Sequence, residues 1–385
     1  RFAWARFHGK TDFVWVRFSG RATFHGATFS APAQVVCCGE SIGFDRTTVE
    51  AAMKVEAAAR TITALGMQAR ARVDLRVRGA RVDLADATFG EPVTVQGLQQ
   101  PIPNVDEAAL ADPQTGLVPP VAVTSLRGVD AESLTLTDVD LSTCLFVGMQ
   151  HAGRLRLNGR CAFATDPSGR RRVLAEEHHW RATRPAPRYA SYLRDTRIAR
   201  WGSAADRWTP APDGVDVAGP DRLEALYRQL RKALVDARDE PGSADFYYGE
   251  MEMRRAAAGR HGERLLLWLY WAGSGYALRA RRALGWLAAV IAVGVIALTL
   301  FGFSGAPEEP ATAPGTASTP QAREPGTSLP ARIGQATEIT LNAVVLRSVD
   351  TGLSAAGRYI NLATRVLGPL LLGLSLLAIR NQVKR

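Results

Sequence analysis

Phenylalanine falls at positions 2, 7, 13, 18, 24 and 29, so gaps of five and six residues alternate along the start of the chain. An α-helix would scatter that spacing around its axis, whereas short strands joined by tight corners bring such residues into interior columns. From the second ring onward a small or β-branched residue stands two places earlier: Ala5, Thr11, Val16, Ala22 and Ala27. Residues two apart on a strand share a face, and the polar residues and glycines between them suit corners. The spacing predicts a β-solenoid with Phe2, Phe7, Phe13, Phe18, Phe24 and Phe29 inside. The rule returns at Val73 and Leu75, Val82 and Leu84, Ala87 and Phe89, Leu134 and Leu136, Val139 and Leu141, Cys144 and Phe146, Leu155 and Leu157, and Cys161 and Phe163.

The array covers residues 1–169 and is expected to break twice. Residues 47–66 read as an insertion with a short Ala-rich helix over 51–60, and the Pro-rich stretch 101–120 reads as a surface loop. Arg1 already stands inside a repeat, with no signal-peptide pattern ahead of it, so further coils are expected before it. The pattern resembles the pentapeptide-repeat family, in which a central Leu or Phe follows a small residue by two places. That resemblance implies a right-handed quadrilateral β-helix. Cys37, Cys38, Cys144 and Cys161 have neither CxxC nor zinc spacing, and the last two occupy the small-residue slot, so they read as packing thiols.

Residues 170–220, rich in Pro, Arg and Trp, read as an irregular cap over the open solenoid end. Glu176, Glu177, His178 and His179 are adjacent and diverge around any regular element, so no metal site is expected from them. A helical hairpin and an interfacial helix are expected over 221–282. Asp221 is the expected N-cap of a helix whose Leu223, Leu226, Tyr227, Leu230 and Leu234 form one stripe, and a second helix is expected from Ser243 or Asp245. That second helix carries Phe246, Tyr247, Tyr248, Gly249, Glu250, Met251, Glu252, Met253, Arg254 and Arg255. Glu250 and Glu252 diverge around the helix, so structural ion pairing, including Glu250 with Arg254, is preferred to catalysis. Residues 226–282 resemble the membrane-proximal region of actinobacterial pentapeptide-repeat membrane proteins, as does the C-terminus RVLGPLLLGLSLLAIRNQVKR.

Residues 284–303 carry no formal charge over a length matching the hydrocarbon core, which gives a first transmembrane helix at 283–303. Before it lie Arg254, Arg255, Arg260, Arg264, Arg279, Arg281 and Arg282 against Glu263 alone, a cytoplasmic flank by the positive-inside rule. Trp268, Tyr270, Trp271, Tyr276 and Trp286 suit an interfacial belt. Residues 304–335 read as a disordered extracytoplasmic loop, and 336–358 as an amphipathic segment, interfacial or re-entrant. A second span at 359–380 is expected if Arg365 snorkels or faces a partner helix, leaving a basic cytoplasmic tail at 381–385. The chain is thus expected to cross the cell membrane twice, with both termini cytoplasmic.

Lys and Arg total 47 against 37 Asp and Glu, a formal charge of +10, much of it beside the apolar segments. Residues 1–100 hold 13 basic and 9 acidic residues, which suits neither an acidic mimic of duplex DNA nor a nucleic-acid-binding stripe. No G-x-S-x-G, P-loop, dinucleotide fingerprint or zinc spacing occurs, so no enzyme activity, cofactor or metal is expected. The expected function is a membrane-anchored scaffold whose partners are the lipid bilayer, another protein and possible further copies of itself. The alternative is a subunit of an oligomeric ion channel or mechanosensor, against which stands the lack of a TVGYG-like filter.

Overall fold

A computed structural model describes residues 1–105, 107–112, 114–184, 208–302, 329–347 and 353–383. The chain forms two compact units, Arg1–Gly259 and Arg260–Arg385. The first is a parallel β-solenoid of about eight turns followed by helices.

Strand register shows how the repeat works. Phe13, Val35, Val55, Leu75, Val95, Leu136 and Leu157 lie side by side on successive parallel strands, forming one interior column. Phe7, Phe29, Val49, Ala69 and Phe89 form a second column on the short strands. Neighbouring coils in the middle of the array are twenty residues apart. Phe2, Phe24 and Phe44 stack at ring distances of 5.0 and 5.2 Å, and Phe7 stacks on Phe29 at 4.6 Å. Phe24, Phe29, Leu75, Leu84, Phe89, Leu136, Leu141, Phe146, Leu157 and Phe163 are buried. Phe2, Phe7, Phe13 and Phe18 are half-buried, packed against the same core. One corner of each coil has a left-handed residue, and at Gly128 a Cβ would lie 2.3 Å from an Asp86 carboxylate oxygen, so a side chain there would be strained.

Residues 47–66 are no insertion. Thr48–Val49 and Met53–Thr63 are strands of the regular coil. Ala57, Ala58 and Ala59, which suggest a helix by composition, are small residues buried on both faces of that strand. Tertiary pairing overrides their helical propensity.

The excursion at 98–120 is packed rather than a plain surface loop. Ile102 and Leu110 cover Val36, Cys38 and Ala58 on the outer face of the sheet. Arg78 pairs with Glu107 and donates to the carbonyls of Leu98 and Gln99, while Glu107 accepts from the Ile102 amide at 2.8 Å.

The cap is also more ordered than the irregular segment expected at 170–220. Ala164–Thr165 and Arg172–Val173 pair antiparallel, and α1 (Ala175–Ala182) follows. Residues 185–207 of that expectation lie outside the described residues. Helix α2 (Pro220–Asp236) has Gly219 as N-cap, leaving Asp221 in the first turn beside the helix dipole. Helix α3 (Glu240–Ala257) begins before Ser243, because the Asp239 side chain accepts from the Gly242 amide. Leu223, Leu226, Tyr227, Leu230 and Leu234 of α2 and Phe246 and Met253 of α3 join the solenoid core. Phe146 stacks on Phe163, which meets Phe246 edge-on at 4.9 Å, so the hairpin closes the end of the column.

The second unit holds α4 (His261–Ser274), α5 (Ala280–Ala297) with a π turn over Leu298–Gly302, α6 (Leu329–Val344) and α7 (Ala355–Val383). Ala280–Gly302 and Ala355–Arg380 are long and apolar enough to cross a membrane. Helix α6 begins inside the segment expected to be a disordered loop, and 304–328 of that loop lie outside the described residues, as does residue 303 of the expected first span. Helix α7 starts four residues earlier than the expected second span and continues to Val383 of the expected tail.

Candidate functional site

Helix α1 sends its acidic side chains to different places. The Glu176 carboxylate accepts from the Phe146 and Val147 amides, capping the solenoid's final corner. Burial raises its pKa, opposed by those amide bonds and by Arg127. Glu177 is fully buried and accepts from Arg171 at 2.7 Å, from Arg181 at 2.6 Å and from the Tyr227 hydroxyl. Burial alone would raise its pKa, but the two guanidiniums and the phenol hold it at about 2. The Tyr227 hydroxyl also accepts from the Leu174 amide at 2.9 Å. Arg181 continues to Glu252 on α3, and Glu252 accepts from Arg255 as well.

The segment 246–255 is therefore a docking strip for the cap. Phe246 meets Tyr227 edge-on, Tyr247 lies under Arg231 and Tyr248 under Arg171. Gly249 faces the Tyr227 ring, and Glu250 reaches across the hairpin to Arg228 at 3.0 Å and Arg231 at 3.5 Å. Met251 is half-buried, and Arg254 is exposed.

Beside the cap lies an open groove of about 850 Å³. Its floor is the solenoid strands bearing Arg81, Asp83, Thr124 and Ser125, with Arg127, Ser142 and Thr143 at the corners. Ala175, His178 and His179 of α1 and Thr209, Pro210 and Pro212 form the other wall. Burial raises the Asp83 pKa, against a bond from the Ala85 amide, with Asp45 and Asp86 adding to the rise. His178 Nε2 lies 2.9 Å from the Thr165 carbonyl, and its Nδ1 lies 3.5 Å from the Thr209 amide. Burial lowers the pKa of both histidines. With both ring nitrogens engaged by backbone, His178 is not placed to activate Ser125 or Ser142 as a general base. The groove offers mixed charge and hydroxyls on a rigid sheet, which suits recognition.

Glu176, Glu177 and His178 thus point to separate partners and do not converge on a metal. A different trio, Asp130, Glu132 and His151, brings its ligand atoms within 4.8 Å of one another. Asp130 and His151 bond to each other and Glu132 pairs with Arg154, so surface pairing accounts for the cluster. Sequence spacing did not reveal this trio, because residues twenty-one apart meet only through the coil repeat. The four cysteines are free thiols; burial, followed by the adjacent Cys38, pushes Cys37 up to about 12, and burial raises Cys144.

Comparison of the chain with models of known families, with curated proteins and with solved structures finds no match.

Proposed function

We propose that this chain is a membrane-anchored scaffold whose solenoid groove receives a segment of a partner protein at the cytoplasmic face of the cell membrane. The groove beside α1 carries this reading: it is roomy, mixed in charge and floored by parallel strands of the solenoid. The twenty-residue offset between coils supports a quadrilateral solenoid of pentapeptide type, right-handed as in the family it resembles. Anchorage draws support from the two apolar helices, from exposed Leu265, Leu266, Trp268 and Leu269 on α4, and from the arginines before α5.

A photo-crosslinking residue at Thr143 in cells tests the scaffold reading. A discrete protein adduct at 143, absent when the crosslinker replaces Gln68 on the short-strand face, is expected. Equal labelling at both positions, or none, would contradict it.

Helix α6 favours a second reading, a subunit of an oligomeric channel or mechanosensor. It packs along both apolar helices instead of standing clear of them. Planar-bilayer recording of the purified protein tests it, and silence across voltage and tension would end it.

A further inference from the structure

Contacts along α5 fix the levels of α6 and α7 beside it. Ala336 and Ile339 of α6 cluster with Leu298, and Val344 clusters with Leu287, so α6 runs antiparallel to α5. Helix α7 runs the same way as α6, because Gly357 meets Gly302 at one end and Leu371 joins Leu287 and Val344 near the other. Leu346 takes a left-handed conformation and the Arg347 amide returns to the Asn342 carbonyl, ending α6 at depth. The chain is back beside Leu298 by Leu353, and the Ser354 amide bonds to the Gly302 carbonyl. If α5 and α7 span the membrane, α6 enters and leaves from one side.

Glu338 and Arg365 are then, among the described residues, the charges nearest the middle of the bilayer. Thr340 and Thr364 both pack against Gly294, at one level. Glu338 stands two residues before Thr340 and Arg365 one residue after Thr364, so the two differ in depth by about 4.5 Å on parallel helices. Both fall within about 8 Å of the middle of Ala280–Gly302. Glu338 is exposed on the side of α6 turned away from α5 and α7, in a stripe with Gln335 and Asn342, and Arg365 is half-buried on a flank of α7. Among the described residues neither has an ion-pair partner. A charge facing lipid at this depth is costly, so such residues face a partner or water.

We infer that a second copy of this chain supplies the missing partner, with Glu338 on α6 of one copy paired to Arg365 on α7 of the next. Opposite sign and matched depth identify the occupant as another copy. The inference rests on the membrane reading above. With Glu338 on α6 and Arg365 on α7, each copy offers both halves of the pair, which suits a closed ring.

The test uses full-length protein in native membranes. Wild type, E338R, R365E and E338R/R365E are compared by single-molecule photobleaching after carbonate extraction confirms insertion. Each single reversal is expected to lower the oligomer-to-monomer ratio by about tenfold or more, and the double reversal to restore it to within about twofold of wild type. An inserted wild type that is monomeric, singles that oligomerise normally, or a double variant no better than the singles would each overturn the inference. If a reversal blocks insertion, differently tagged E338C and R365C chains are co-expressed and oxidised: a mixed-tag disulfide supports the pair and its absence overturns it. Wild type released by carbonate would overturn the membrane reading itself, which distinguishes the two failures.

Discussion

The ring of Tyr227 fills the space that a side chain at position 249 would need. A Cβ built on Gly249 would lie 2.6 Å from Tyr227 Cε1 and 2.7 Å from Cζ, well inside contact distance. Helices α2 and α3 therefore approach closely at this point, and the phenol reaches Glu177 behind them. In a helix interior Gly249→Ala would ordinarily gain about 1 kcal/mol. Here we expect a net loss of about 2 kcal/mol from overpacking, read as a lower urea midpoint. An unchanged or raised midpoint would show that the hairpin can part without cost.

Neighbouring glutamates on α1 are expected to respond very unequally to the same change. Glu177→Gln leaves Arg171 buried without its carboxylate and should cost about 3 kcal/mol or more. Glu176→Gln keeps an oxygen for the Phe146 and Val147 amides and removes a buried charge, so it should cost less than about 1 kcal/mol. Equal losses for the two variants would contradict the division of roles between corner cap and ion network.

Acid should loosen the cap before it loosens the solenoid. Glu177 is held at about 2, below its ordinary value of 4.5, so its contribution is complete above pH 4.5 and is lost as pH falls toward 2. The effect is on the order of 3 kcal/mol at full loss. Exchange of the Leu174 amide, which donates to Tyr227, should accelerate beyond the intrinsic rate change between pH 5 and pH 3, while that of Val55 should not. Parallel changes at both amides would mean global unfolding instead.

Much of this fold was legible in the sequence where large and small residues alternate, because each coil repeats the same interior demand. Phe24, Phe29, Leu136 and Phe146 illustrate it. Ala57 to Ala59 were illegible, since nothing local distinguishes three alanines flattened between two strands from a helical turn. The cap network was hidden for another reason: Glu177 meets Tyr227 fifty residues away, and Arg172 meets Asp239 across sixty-seven. Proximity in space there comes from the hairpin folding back. The groove at Asp83 and Thr143 was equally invisible, being assembled from separate coils and α1.

The excursion at 98–120 should act as a cover over Cys38. That thiol is 8% exposed, beneath Ile102 and Leu110. Glu107→Ala removes the partner of Arg78 and the acceptor of the Ile102 amide. Alkylation of Cys38 should then rise by about tenfold, with Cys37 and Cys144 still protected inside the coil. If Cys38 stays inert, hydrophobic packing alone holds the cover.

The most direct measurement is the sidedness of labelling in intact cells. In a Cys161→Ser background, single cysteines replace Ser318, between the two apolar helices in sequence, and Asp236, on the exposed face of α2. A membrane-impermeant maleimide should label Ser318→Cys in intact cells and Asp236→Cys only after permeabilisation. Labelling of Asp236→Cys in intact cells, or of neither position until the membrane is opened, would contradict a scaffold hung on its cytoplasmic face.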